Sequence, residues 1–418
     1  MTDKNPDRKG PSAMLYDAYF TYDRFGSQFR KMASGFERYF RIWGADAPWA
    51  TWRRFGAMFE LGEISGFSHT RPDFNINHIR GRDGEIIDIR ETVLGGTPFC
   101  DLVKFSRTDG DERIRILLVS PMSGHFATLL RATITTLLQD FDVYVTDWRN
   151  ARDVPLTEGV MTLDRYTEHI IDFIRQVGPR THVVAVCQPV VGALAATAVM
   201  AKASDPLQPA SLTLMAGPID TRISPTAVNE LAMSKPIEWF EKNLISTVPG
   251  GLAGSGRRVY PGFVQLTAFM SMNAERHAKS FAEMYRCRVE GDAAKAEQIR
   301  LFYEEYFAVM DLDASFYLET IETIFQKYAL PTGTLTYKGQ VVEPAAIRKT
   351  FLLTIEGERD DICAMGQTMA AHDLCTGLRP YMKSHHLQPG VGHYGVFNGK
   401  RWDKQIYPVV RDHIQSSH

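Results

Sequence analysis

The sequence is poor in net charge, poor in cysteine and without a long apolar run, and each shortage removes a class of function. Lys plus Arg total 47 against 49 Asp plus Glu, a formal charge of −2, so no global field draws the chain onto a polyanion and nucleic acid is not an expected partner. The five cysteines, at 100, 187, 287, 363 and 375, form no C-x-x-C pair, which argues against both a zinc site and a disulfide framework and favours a reducing compartment. The polar start, Met-Thr-Asp-Lys-Asn-Pro-Asp-Arg-Lys-Gly-Pro, has no apolar h-region, and no run of about 18 apolar residues follows. The expectation is a cytoplasmic protein with no transmembrane segment.

What is present divides the chain. Residues 1–13 are charged and carry two prolines, the composition of a disordered tail. Residues 14–67 are crowded with large side chains, and Phe25, Phe29, Met32, Phe36, Tyr39, Phe40 and Trp43 recur at steps of three and four among Arg30, Lys31, Arg38 and Arg41. That spacing predicts an amphipathic helix. Its apolar stripe packs on the main core in the ordinary reading and docks on an apolar particle or interface in the sharper one.

Over residues 71–110 short strands are expected around Asp83-Gly84 and Gly95-Gly96. Then β-rich runs alternate with helix-length segments: Ile114 to Val119 before a helix over 127–138, Asp142 to Thr146 before one over 163–177, and His182 to Val186 before the alanine-rich stretch after Gly192, with Leu212 to Ala216 next. Alternation of this kind predicts βαβ units and a mostly parallel sheet flanked by helices. It stops between about 220 and 350, where long helical patterns such as Ala282 to Phe307 and a turn at Lys338-Gly339 suggest a mostly helical insertion. The sheet resumes at Phe351 to Ile355, and a helix over 402–414 ends the chain. Residues 68–219 with 351–418 are thus read as an α/β core, and 220–350 as its insertion.

Chemistry concentrates at three strand ends. Cys187 follows the strand His182 to Val186 and precedes Gln188-Pro189 and a helix, the place of a nucleophile elbow, a sharp strand-to-helix turn that lifts the reactive side chain clear of the sheet. The usual G-x-S-x-G is here Ala185-Val186-Cys187-Gln188-Pro189; a proline fits if it falls in the first helical turn, where its missing N–H costs nothing. A lone cysteine at a strand end is commonly just buried core, and a thiol needs a base to become a nucleophile. Partners in the required order exist. The acidic loop Glu356-Gly357-Glu358-Arg359-Asp360-Asp361 follows the resumed strand, and His393 stands between glycines before the last helix. Nucleophile, acid, histidine is the chain order of α/β-hydrolases. Asp360 is preferred to Asp361 as the acid; of the twelve histidines only His125, beside Ser123-Gly124, is a second candidate for a role. An oxyanion hole would pair the N–H of Gln188 with that of Met122, or less favourably Ser123, in the loop after Val119, since Pro121 cannot donate.

Six further stretches carry a family likeness: Ser-Pro-Met-Ser-Gly-His-Phe-Ala-Thr-Leu-Leu-Arg from Ser120, Val-Tyr-Val-Thr-Asp-Trp from Val143, Val-Cys-Gln-Pro from Val186, Arg-Arg-Val-Tyr-Pro-Gly-Phe from Arg257, Ala-Ala-His-Asp-Leu-Cys from Ala370 and Gly-His-Tyr-Gly-Val-Phe from Gly392. On these the chain from about Phe67 resembles the intracellular poly(3-hydroxybutyrate) (PHB) depolymerases, α/β-hydrolases related to the polyhydroxyalkanoate synthases. The resemblance implies a triad of Cys187, Asp360 and His393, a helical cap formed by the insertion, no cofactor and no metal, and cleavage of PHB esters through a thioester acyl-enzyme. Its partner would be the polymer or granule surface, and a homo-oligomer is compatible with it. Three alternatives stand beside hydrolysis: release of the thioester by coenzyme A, synthase-like acyl transfer, whose elbow would read Gly-x-Cys-x-Gly, and a non-catalytic granule-binding protein. Trp148, Trp239 and Tyr394 are candidate pocket walls.

Overall fold

The computed structural model describes Tyr16, Tyr19 and residues 67–418 apart from Arg82, Asp111 and Asn273. The tail over 1–13 and the helix expected within 14–67 therefore lie outside the described residues, except for Tyr16, Tyr19 and Phe67.

A nine-stranded sheet organises the chain. Its strands are β1 (His78–Arg80), β2 (Ile86–Gly96), β3 (Cys100–Arg107), β4 (Arg115–Val119), β5 (Asp142–Trp148), β6 (His182–Val186), β7 (Ser211–Met215), β8 (Phe351–Gly357) and β9 (Lys383–Gln388). They lie in the order β1-β2-β3-β5-β4-β6-β7-β8-β9. The first three and their junction with β5 are antiparallel; from β5 through β9 every neighbour is parallel. Parallel strands need crossovers, and helices α1 (Arg131–Leu137), α2 (Leu163–Val177), α3 (Val190–Lys202) and, at the end, α4 (Tyr407–Ser417) supply the covering layers.

The near-continuous apolar runs of the central strands follow from burial on both faces. Leu117, Val119, Val183, Ala185 and Leu212 join one core with Tyr166, Ile170, Leu194 and Ala198 of α2 and α3. The alternate residues Ile116, Leu118, Val184, Val186 and Met215 join a second core with Ile134, Val410 and Ile414 of α1 and α4. The period-2 alternation of a strand thus serves two hydrophobic layers at once.

Local chemistry shifted several boundaries. The expected long helix through Ala282 to Phe307 is two helices, Ala274–Glu290 and Ala293–Tyr306: Gly291 takes φ 90° and the Asp292 carboxylate accepts from Lys295 N at 3.1 Å, capping the second. Lys338-Gly339 is a two-residue hairpin turn with both φ values positive, 49° and 75°. Pro189 does not enter the helical turn but stands just before it as the N-cap of α3. Strand β9, Lys-Ser-His-His-Leu-Gln, was not anticipated, because an edge strand half in water carries too few apolar residues to declare itself.

Two buried arginines tie the segment between β7 and β8 to the sheet. Arg257 is almost fully enclosed; it donates to Val154 O at 3.0 Å, Pro155 O at 2.6 Å, Gly159 O at 2.7 Å and the Asp313 carboxylate at 2.7 Å. Arg152 pairs with Asp311 at 3.1 Å, and the buried Tyr16 hydroxyl donates to the same carboxylate. Removing one member of a buried pair leaves the other charge uncompensated. Arg257→Ala is expected to cost about 3 kcal/mol of unfolding free energy, read as a lower midpoint in urea denaturation; an unchanged midpoint would refute this account of how the segment is anchored.

Candidate active site

The backbone turns sharply where β6 meets α3. Cys187 has φ 68°, a left-handed conformation that a residue with a Cβ adopts only under constraint. Its N–H donates to Met215 O of the neighbouring strand at 2.8 Å, while its carbonyl accepts from Val190 N at 3.3 Å. Space around the turn is tight. A Cβ on Gly217 would come within 2.5 Å of Cys187 O, and one on Gly192 within 2.7 Å of the Tyr166 ring, so glycine is required at both flanks. The turn presents the half-buried sulfur at the carboxyl end of the parallel sheet.

Two later segments bring groups to that sulfur. Beyond β8, Asp360 Oδ1 accepts from the backbone N–H groups of Ile362 at 2.9 Å and Cys363 at 2.8 Å. Its other oxygen meets His393 Nδ1 at 2.8 Å, with both side chains buried. His393 also lies within electrostatic reach of Cys187. Burial alone would push the imidazole down, but its electrostatic interactions with Cys187 and with Asp360 outweigh burial and hold the group well above its ordinary value. Asp361 is exposed and does not touch the imidazole pair.

The loop after β4 reaches the same point. Met122 N–H donates to the side-chain oxygen Oε1 of Gln188 at 3.3 Å, and the Tyr166 hydroxyl donates to that oxygen at 3.3 Å as well. The Gln188 backbone N–H has no protein acceptor among the described residues. A carbonyl oxygen from the chain itself therefore rests on one of the two expected oxyanion donors. Met122, Gln188 and Cys187 open into an apolar cavity of about 230 Å³ walled by residues such as Phe240, Leu312 and Phe316.

Residues 216–418 match the family model described as the PHB de-polymerase C-terminus. Over that segment, just under half of its length, the chain is similar to the PHB depolymerases. Among solved structures it is similar to a putative lipase from Acinetobacter baumannii AYE, at 11% identity and TM-score 0.44 over 79% of this chain and 93% of that one. A 2-hydroxy-6-oxo-6-phenylhexa-2,4-dienoate hydrolase from Rhodococcus sp. RHA1 aligns at 13% identity and TM-score 0.42, over 79% of this chain and 99% of the other. A thermophilic esterase from Thermogutta terrifontis aligns at 15% identity and TM-score 0.42, again over 79% and 99%. No curated protein matches.

The remaining sequence candidates sort by contact. His125 is buried, its Nε2 facing Tyr306 O at 3.2 Å, and burial pushes it down to about 4; it pins the insertion rather than facing Cys187. Trp148 is enclosed beneath the site and donates to Ser120 O at 3.0 Å. Trp239 is partly exposed and lines neither cavity beside Cys187 or His393, whereas Tyr394 lines the one that contains His393. Sequence reasoning missed the Ile362 and Cys363 N–H groups that fix Asp360; an acidic residue two and three positions before free amides is the signature of an Asx turn and could have revealed them. Among the described residues no group of three or more His, Cys, Asp or Glu is placed to hold a metal, and no helix is long and apolar enough to cross a membrane.

Two expectations follow. Cys187→Gly and Cys187→Ala both lack the thiol, yet only alanine keeps a Cβ in the left-handed turn, so the glycine variant should be more stable by about 1 kcal/mol in paired denaturation curves. Deleting the sulfur also removes the larger of the two partner interactions that raise His393. NMR titration of the imidazole should then give a lower pKa in Cys187→Ala than in the parent chain, and an equal or higher value would contradict the pairing.

Proposed function

We propose that Cys187, His393 and Asp360 are the nucleophile, base and orienting acid of a carboxylic ester hydrolase acting on PHB. The observation that carries this reading is that the strained Cys187 turn stands beside His393, whose Nδ1 meets Asp360 Oδ2 at 2.8 Å. Asp360 holds the ring so that its other nitrogen faces the sulfur. His393 takes the thiol proton, and the thiolate forms a C–S bond to the ester carbonyl carbon. The carbonyl oxygen, now negative, is stabilised by the N–H groups of Met122 and Gln188. To admit it, the Gln188 side chain gives up its hold on Met122. The C–O bond to the alcohol then breaks, and His393 returns its proton to the departing oxygen. Water, deprotonated by the same imidazole, attacks the thioester carbonyl carbon; the C–S bond breaks, the acid departs, and His393 returns the proton to the Cys187 sulfur.

Residues 220–350 act on this reading as the cap: Phe240, Tyr260, Leu312 and Phe316 wall the apolar cavity over Cys187. Apolar walls with few polar groups suit a polyester whose only polar atoms are ester oxygens. The match of residues 216–418 to a PHB de-polymerase model supports the choice of polymer. The place of action is the surface of an intracellular polymer granule.

Cys187→Ala should lose ester cleavage by about four orders of magnitude while its circular dichroism stays that of the parent. Intact-protein mass spectrometry after brief mixing with a hydroxybutyrate oligomer should find an acyl adduct on the parent chain at Cys187 and none on the variant. Undiminished turnover by the alanine variant would remove the assignment.

A further inference from the structure

Two cavities meet the Cys187–His393 pair from different sides. The apolar one described above contains the sulfur and both oxyanion donors. A second, of about 660 Å³, contains His393 together with the aromatic rings of Phe302, Tyr306 and Tyr394 and the polar side chains of Ser280, Gln298 and Arg359. Ile362 lines both, so it is the partition at which they adjoin.

Ester cleavage gives the two cavities different occupants. The acyl carbon stays on the sulfur, while the alcohol oxygen leaves with the proton from His393; the alcohol half of the substrate therefore lies on the imidazole side. A hydroxyalkanoate chain has direction, and its alcohol half is the one that ends in a free carboxylate. Along that half every polar atom except the new hydroxyl is a hydrogen-bond acceptor. The second cavity offers matching donors in Ser280 and Gln298, and a guanidinium in Arg359. Arg359 is exposed at this cavity, and no carboxylate among the described residues forms an ion pair with it. Its backbone is fixed, since Arg359 N–H donates to Val391 O at 2.9 Å, which sets the residue against the loop that carries His393.

We propose that the His393-side cavity is the leaving-group subsite, and that Arg359 there binds the free carboxylate of a short alcohol-side fragment, so that bonds near the carboxyl end of the chain are cut preferentially. This rests on the esterase reading above. Asp361 lines the same cavity and repels the same carboxylate, so it tempers the preference.

The test compares a soluble 3-hydroxybutyrate trimer with the same trimer capped as a terminal carboxamide, and uses p-nitrophenyl butyrate, which has no carboxylate, as the reference ester. The parent chain should cleave the free acid with kcat/KM about fivefold above the amide, the size of an exposed ion pair, and the ratio should shrink as salt is raised. Arg359→Gln should bring the ratio to one with p-nitrophenyl butyrate turnover unchanged, Arg359→Lys should preserve it, and Asp361→Asn should enlarge it. Equal rates on acid and amide in the parent, or a ratio that survives Arg359→Gln, would overturn the subsite while leaving the esterase reading intact. Failure of the parent on all three esters would overturn that reading and the subsite with it.

Discussion

One non-glycine residue held in left-handed backbone is the constraint on which the site depends. Cys187 can occupy φ 68° because the strand before it is fully buried and the helix after it is buried from Val190 to Ala198, so neither can relax to relieve it. The conformation costs on the order of 1–3 kcal/mol, and two apolar layers, one on each face of the sheet, supply the rigidity that sustains it. A loop site could not store such strain. The glycines at 192 and 217 belong to the same solution, since each removes a Cβ that would press on the turn or on its supporting helix.

The acid and histidine obey a different logic, in which backbone amides rather than packing provide the precision. Asp360 spends one oxygen on two N–H groups of its own loop and the other on His393. Its orientation is thereby fixed before it meets the imidazole. That arrangement also discriminates it from Asp361, the adjacent and chemically identical residue, whose side chain points to a cavity and solvent instead. The choice between the two is made by the turn, not by the carboxylate.

Much of this was legible in the order of residues. Alternating apolar runs gave the parallel strands to within a few positions because both faces are buried, and helix α2 from Leu163 to Val177 begins and ends where Thr162 and Gly178 stand as caps. The spacing of Cys187, Asp360 and His393 was readable because each follows a strand or precedes a helix of the core. Strand β9 was not, since its solvent-facing His and Lys residues hide a parallel pairing with β8. Nor was the role of Arg257, whose four oxygen partners come from residues scattered between Val154 and Asp313; long-range partners of that kind leave no local pattern. The Gln188 side chain resting on Met122 was equally hidden, because a rotamer is chosen by tertiary contacts.

The parallel pairing of β8 with β7 spans the whole insertion in sequence, and this has a bearing on synthesis. During translation the thiol leaves the ribosome long before the carboxylate and the imidazole do. A nascent chain that has already built β4, β5 and β6 around Cys187 still lacks any base to ionise it. On the proposed assignment, competence therefore awaits the docking of the last segments.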